Sequence, residues 1–196
     1  MPLIKPLDQF ANAEVEQLVK FYNETLGFCP NSLLTMQHRP AIAEAFVKIN
    51  KAVMANDGRV TAEQKRLVGF LTSAQSGCRY CQAHTLLAAE RYGGNAERLK
   101  NIWNFRESSL FTEAEKALFE FALAASAVPN AVDETIEKAL KAHWDEGEIV
   151  EVLGVIALFG FLNRWNDSMA TTLEQPAEDA GKKYMANQQW DKGKHQ

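Results

Sequence analysis

Apolar residues recur at helical spacing through most of this 196-residue chain, and alternating β-branched runs are absent. A chain with no period-two stretches has no sheet to bury, so the pattern restricts the fold to packed helices. The punctuation supports this. Gly27 and Pro30 stop a helix that begins near Ala13. A short helix is expected over 32–37, and Pro40 suits the first turn of another that reaches about Ala55 and ends at Asn56-Asp57-Gly58. Thr61 and Thr112 read as caps of two further helices, the second closed by Pro129. Ser76-Gly77 breaks the chain before a helix from Cys78 to about Tyr92, and a short one follows from Asn95 to Trp103. The last helices are expected over 133–142 and from about Glu146 to Met169.

The length suits one substantial core, or two small repeats fused into one. TAEQKRLVGFLTSA from Thr61 aligns without gaps on TEAEKALFEFALAA from Thr112, with Thr, Lys, Leu and Phe coinciding. This hints at a duplicated helical unit. Residues 1–175 read as a single all-α domain with its core over 61–169. Residues 176–196 read as a polar tail, flexible or packed on a partner chain, with only Tyr184, Met185 and Trp190 to anchor it.

Charge and composition exclude several function classes. The net charge is −4 with 23% charged residues, so there is no basic excess for nucleic acid or an anionic membrane. The longest apolar run, Val152 to Leu162, is too short to span a bilayer and suits a core helix. The opening MPLIKPLDQF has no apolar segment of the secretory kind, which makes a cytoplasmic setting the expectation.

The chemistry concentrates in Ser76-Gly77-Cys78-Arg79-Tyr80-Cys81-Gln82-Ala83-His84. On a helix, residues at i, i+3 and i+6 fall on one side, so Cys78, Cys81 and His84 converge. Two thiols beside a base suit dithiol–disulfide chemistry. With Ser76 as cap, Cys78 lies in the first turn, where free N–H groups and the helix dipole favour a thiolate. Cys81 lies one turn deeper, nearer His84, whose unperturbed pKa of ~6.5 suits proton transfer. Glu63, on the preceding helix, is a candidate to orient or recharge His84. Two other readings stay open: both cysteines as small buried apolar residues, or as metal ligands. Structural zinc usually wants two separated pairs of ligands, whereas here one pair stands beside His84, and His38, His143 and His195 show no ligand spacing. No metal or organic cofactor is therefore expected. Cys29, between Phe28 and Pro30, reads as a loop or core thiol. Phe159, Phe161, Trp165 and Met169 read as core with a polar helix end, the alternative being a wall for an apolar substrate.

With these residues in view, the chain resembles the alkylhydroperoxidase D-like branch of the carboxymuconolactone decarboxylase superfamily, and within it the peroxidase-related enzymes. The resemblance rests on TAEQKRLVGFLTSAQSGCRYCQAH, TEAEKALFEFA and DEGEIVEVLGVIALFGFLNRWNDSM. It implies an all-α homo-oligomer (dimer, trimer or hexamer) that reduces hydroperoxides in antioxidant defence. Cys81 would attack the peroxide, Cys78 would resolve the sulfenic acid to a disulfide, His84 would act as base, and a dithiol or protein reductant would reopen the disulfide. Helix position favours Cys78 as the more acidic thiol, whereas the resemblance assigns attack to Cys81. Two departures touch the proton relay. The best-known members carry the histidine four residues after the second cysteine, where this chain has Thr85, and a glutamate at the position of Arg66. The superfamily also allows a decarboxylase-like lyase, and a non-enzymatic thiol redox sensor is the third alternative.

Overall fold

The computed structural model describes residues 1–10 and 12–196, and no strand occurs among them. Ten α-helices follow in order: α1 (Ala13–Leu26), α2 (Asn31–Met36), α3 (Pro40–Val53), α4 (Ala62–Gln75), α5 (Arg79–Arg91), α6 (Ala96–Asn101), α7 (Glu113–Ser126), α8 (Glu134–Lys141), α9 (Glu146–Met169) and α10 (Gln175–Tyr184). Each start has a local cause. Asn12, Asn95 and Asp133 accept backbone N–H groups of α1, α6 and α8. Thr61 with Gln64, Thr112 with Glu115 and Asp145 with Glu148 form reciprocal capping boxes on α4, α7 and α9. The aligned segments from Thr61 and Thr112 therefore begin with the same device.

Two apolar clusters make the interior. The larger joins α4, α5, α7, α9 and α10, with Leu67, Phe70, Leu86, Leu118, Phe119 and Val155 fully enclosed. The smaller is built by α1, α2 and α3 from Val15, Val19, Leu33, Met36, Ala43 and Val47, and it reaches Leu158 on α9. Phe28, Val53, Met54 and Leu162 touch both, and mark the seam between them. Polar clamps cross the same boundaries. Lys65 of α4 is wholly buried, donates to the carbonyls of Val53 and Ala55 and pairs with Glu151 of α9. Arg98 of α6 pairs with Glu63 of α4 and Glu115 of α7. Removing one partner of such a buried pair costs about 3–5 kcal/mol, because the other charge is stranded.

α4 and α5 form a tight antiparallel hairpin. Gly77, at φ 74°, takes the left-handed turn between them, where a Cβ would be strained. No helix is long and apolar enough to cross a membrane among the described residues.

The C-terminal tail departs from expectation. Residues 175–184 form α10, which packs along α5 with Ala177, Ala180 and Tyr184 buried, and Met185 follows them into the core. His195 is buried too, and its Nδ1 lies 2.9 Å from the carbonyl of Thr171. Ala177, Ala180, Gly181 and Tyr184 give this segment an apolar stripe at helical spacing. Its small residues let α10 approach α5 closely, and they were too inconspicuous in a charged segment to read as core.

Candidate active site

α5 begins at the cysteine motif. Ser76 closes α4, and Cys78 itself is the N-cap of α5, one position later than the expected cap. Its Sγ accepts the Cys81 N–H at 3.3 Å. The first sulfur thus sits against the positive end of the helix, where negative charge is favoured. Both thiols are free and buried. They differ in access. Cys81, 2% exposed, borders a cavity of about 380 Å³ at the seam between the two clusters. Cys78 is enclosed in the core and is not part of the cavity wall.

Burial is the main reason the Cys81 thiol is held well above its ordinary value. The neighbouring Cys78 adds to the rise, and Asn166, whose Nδ2 lies 3.5 Å from Cys81 Sγ, opposes it. A thiolate at Cys81 therefore needs a base and a hydrogen-bond donor, and both are at hand. His84, one turn further along α5, borders the same cavity. Its Nε2 lies 2.7 Å from Glu174 Oε2, just before α10. With that nitrogen committed to the carboxylate, Nδ1 remains for proton exchange, the arrangement by which a carboxylate fixes a catalytic imidazole's tautomer. The ring is wedged between Tyr80, stacked at 4.3 Å, and the edge of Phe28 at 5.8 Å.

Glu174 accepts from three directions. Tyr80 Oη donates to Oε1 at 3.0 Å, the Asn31 backbone N–H donates to the same oxygen, and His84 meets Oε2. Burial alone would raise this carboxyl, but the charge and hydrogen bond of His84, with the backbone donors, hold it below the ordinary range.

Of the four expected site residues, Cys78, Cys81 and His84 come together and Glu63 does not. The hairpin explains why. Antiparallel packing sets the start of α4 beside the end of α5, so Glu63 reaches the Asn95 N–H at 3.0 Å and Arg98 Nε at 3.1 Å. His84 lies near the start of α5, at the other end of the hairpin. Glu174, not Glu63, is the carboxylate that meets His84. The early histidine is thereby accommodated: His84 turns toward α10, while Thr85 spends its hydroxyl on the carbonyls of Cys81 and Gln82. Glu174 carried no motif; the only signal near it was Pro176, marking a helix start. Asn166 lies with Asn163, Arg164 and Asp167 among the polar residues near the end of α9, which read as a helix end.

Phe159 and Leu162 of α9, Phe21 and Tyr22 of α1 and Phe46 of α3 supply much of the cavity's apolar wall. Phe161, grouped with Phe159 in the sequence, faces outward and stacks on Phe46 and Trp165. Cys29 stands apart from this wall; burial first, and the charge of Glu174 second, push its thiol up to about 12. No cluster of side chains suited to a metal ion occurs among the described residues.

Residues 40–124 match the carboxymuconolactone decarboxylase family. An uncharacterized protein of Escherichia coli (strain K12), YnjA, is 30% identical over 92 residues, covering 47% of this chain and 50% of that protein. The match thus spans about half the length of this curated relative. The debrominase Bmp8, solved without ligand, is 30% identical, with a TM-score of 0.87 over 93% of this chain and 97% of that one. A cysteine-to-alanine variant of the same debrominase, solved with 2,3,4-tribromopyrrole, superposes with a TM-score of 0.86. A peroxidase-related protein of Ralstonia eutropha JMP134, described as an alkylhydroperoxidase AhpD core, shares the fold at 22% identity, with a TM-score of 0.78 over 90% of this chain and 95% of that one.

Proposed function

The chain belongs to the carboxymuconolactone decarboxylase superfamily, with an alkylhydroperoxidase D-like fold, and from that premise we propose that it is a thiol-dependent reductase of organic hydroperoxides. The observation that carries this reading is the pairing of Cys81, at the cavity wall, with a histidine fixed by a buried carboxylate.

In the cycle, His84 Nδ1 takes the Cys81 proton and Asn166 steadies the thiolate. The sulfur attacks the terminal peroxide oxygen, the O–O bond breaks, and an alcohol leaves with the proton from His84. The Cys81 sulfenic acid is then attacked by Cys78; water departs and a Cys78–Cys81 disulfide forms. An external dithiol or protein reductant returns both thiols. A cytoplasmic setting, where thiols are kept reduced, and a role in antioxidant defence fit this cycle. The working form is a homo-oligomer.

A second reading is favoured by the aromatic cavity and by the similarity to the debrominase. The same dithiol can reduce a carbon–bromine bond. The Cys81 thiolate takes bromine from the ring, the carbanion left behind is protonated by His84, and Cys78 displaces bromide to give the same disulfide.

Stopped-flow mixing of reduced protein with cumene hydroperoxide, and separately with 2,3,4-tribromopyrrole, tests both readings. The first reading expects loss of two thiols per chain with one alcohol formed, no reaction in Cys81→Ser, and a single trapped sulfenic acid in Cys78→Ser. Bromide release with inertness to peroxide would give the site to the second reading. Equally slow thiol loss in wild type and Cys81→Ser with both compounds would sink both.

A further inference from the structure

The cavity has a second polar end that the thiol chemistry does not use. Cys81, His84, Ala88 and Tyr92 border it along α5. At 1.5 Å per residue, Cys81 and Tyr92 stand about 16 Å apart along the helix. Arg66 of α4 and Tyr22 of α1 join Tyr92 in the wall. Arg66 is 4% exposed, and its guanidinium lies 3.7 Å from the centroid of the Tyr92 ring. One terminal nitrogen donates to the carbonyl of Ala62, a turn back on its own helix. Its Nε has no hydrogen-bond partner, and neither has the hydroxyl of Tyr22, which is 7% exposed.

No carboxylate pairs with Arg66 among the described residues. The nearest acid along its helix, Glu63, is committed to Arg98 and Asn95. A guanidinium does not shed its charge, and what Tyr92 offers it, a ring face and a hydroxyl, returns only part of what its burial costs. Two buried donors of this kind, both bordering one cavity with Tyr92 in its wall, suit an anionic oxygen supplied from outside the chain. The same cavity wall carries Leu26, Phe46, Phe159 and Leu162.

We propose that Arg66 and Tyr22 form an anion subsite, and that the substrate is an amphipathic organic acid: its acidic group on Arg66, its apolar body along the aromatic wall, and its reducible group at Cys81. This rests on Cys81 being the reacting end. Arg66, which stands where the resemblance places a relay glutamate, serves recognition.

Calorimetric titration of reduced wild-type protein with 4-phenylbutyrate and with 4-phenylbutanol tests the subsite. Neither probe oxidises a thiol, so the outcome is independent of whether Cys81 turns over peroxide or bromide. The carboxylate is expected to bind about tenfold more tightly than the alcohol. Arg66→Met should bring the two within about twofold, and Tyr22→Phe should shrink the difference part of the way. Lys51, which also borders the cavity and lies over the Phe21 ring, is the control; Lys51→Gln should leave the discrimination intact. Thermal melts verify folding, and should Arg66→Met not fold, wild type and Tyr22→Phe decide. Equal affinities in wild type, no binding of either probe, discrimination that survives Arg66→Met, or discrimination lost in Lys51→Gln would each overturn the subsite.

Discussion

At the scale of single residues, the site sets a buried thiol against a fixed imidazole. Burial favours the neutral Cys81 thiol, so its thiolate fraction grows as pH rises through an elevated pKa. In the proposed cycle the reaction near neutrality depends on His84, whose Nε2 is held by Glu174. Glu174 stays ionised through the ordinary carboxylate range because its pKa is held down. Glu174→Gln is therefore expected to lower the rate of Cys81 oxidation by about 10- to 100-fold at pH 7. The deficit should narrow toward pH 10, where hydroxide removes the proton without help. Rates of thiol loss across pH 6–10 in wild type and Glu174→Gln check this, and a deficit constant across that range would remove Glu174 from the proton path. Sequence could place Cys78, Cys81 and His84 on one side of α5 because about one helix turn separates each from the next. It missed Glu174 because the partner of His84 lies ninety residues away in the chain, and no local period reports such a distance.

At the scale of elements, most helices follow from local chemistry. Thr61, Thr112, Gly27 and Pro129 mark their boundaries whatever the tertiary structure, so these ends were legible. Two features were set by packing instead. The order of α4 and α5 in their hairpin decides which side chains meet, and it removes Glu63 from the site. α10 is held by the face it covers. Its sequence, QPAEDAGKKY, is polar by count, yet Ala177 is wholly enclosed against the core and Glu178 is engaged by Lys182 and Lys192. Because Glu174 immediately precedes α10, the proposed site is expected to depend on the docking of this helix. Ala177→Asp would bury an unpaired carboxylate, a change costing several kcal/mol. It should release α10 while α4 and α7 stay folded. The expected signature is rapid amide exchange confined to the segment after residue 170, with Cys81 oxidation slowed at least as much as in Glu174→Gln. Slow exchange there, or an unchanged rate, would separate the helix from the site.

At the scale of the whole molecule, α9 presents a mismatch between sequence and environment. Its stretch from Val152 to Leu162 carries no charge, a composition that belongs to a helix buried on all sides. Yet Val150, Leu153, Ala157 and Phe161 face outward at i, i+3, i+7 and i+11, with Val150 69%, Leu153 47% and Phe161 43% exposed. The patch continues onto α3, because Phe161 stacks on Phe46 and Ile42 and Ile49 flank it in the open. A second copy of this chain is the proposed cover. Burying each large side chain contributes about 1.5–3 kcal/mol, whereas association costs at least about 4 kcal/mol of lost freedom. The stripe and the α3 side chains beside it must act together to outweigh that cost, so one charge at the centre should abolish assembly. Sedimentation velocity is expected to show wild type as an oligomer and Leu153→Arg as a monomer with unchanged helical content, since Leu153 is about half exposed and belongs to neither apolar cluster. The cavity is walled within one chain by residues of α1, α2, α3, α4, α5 and α9, so the monomeric variant should keep 4-phenylbutyrate binding within about threefold of wild type. A monomeric wild type would leave the stripe unexplained by self-association, and lost binding in Leu153→Arg would mean that the neighbouring copy helps to shape the cavity.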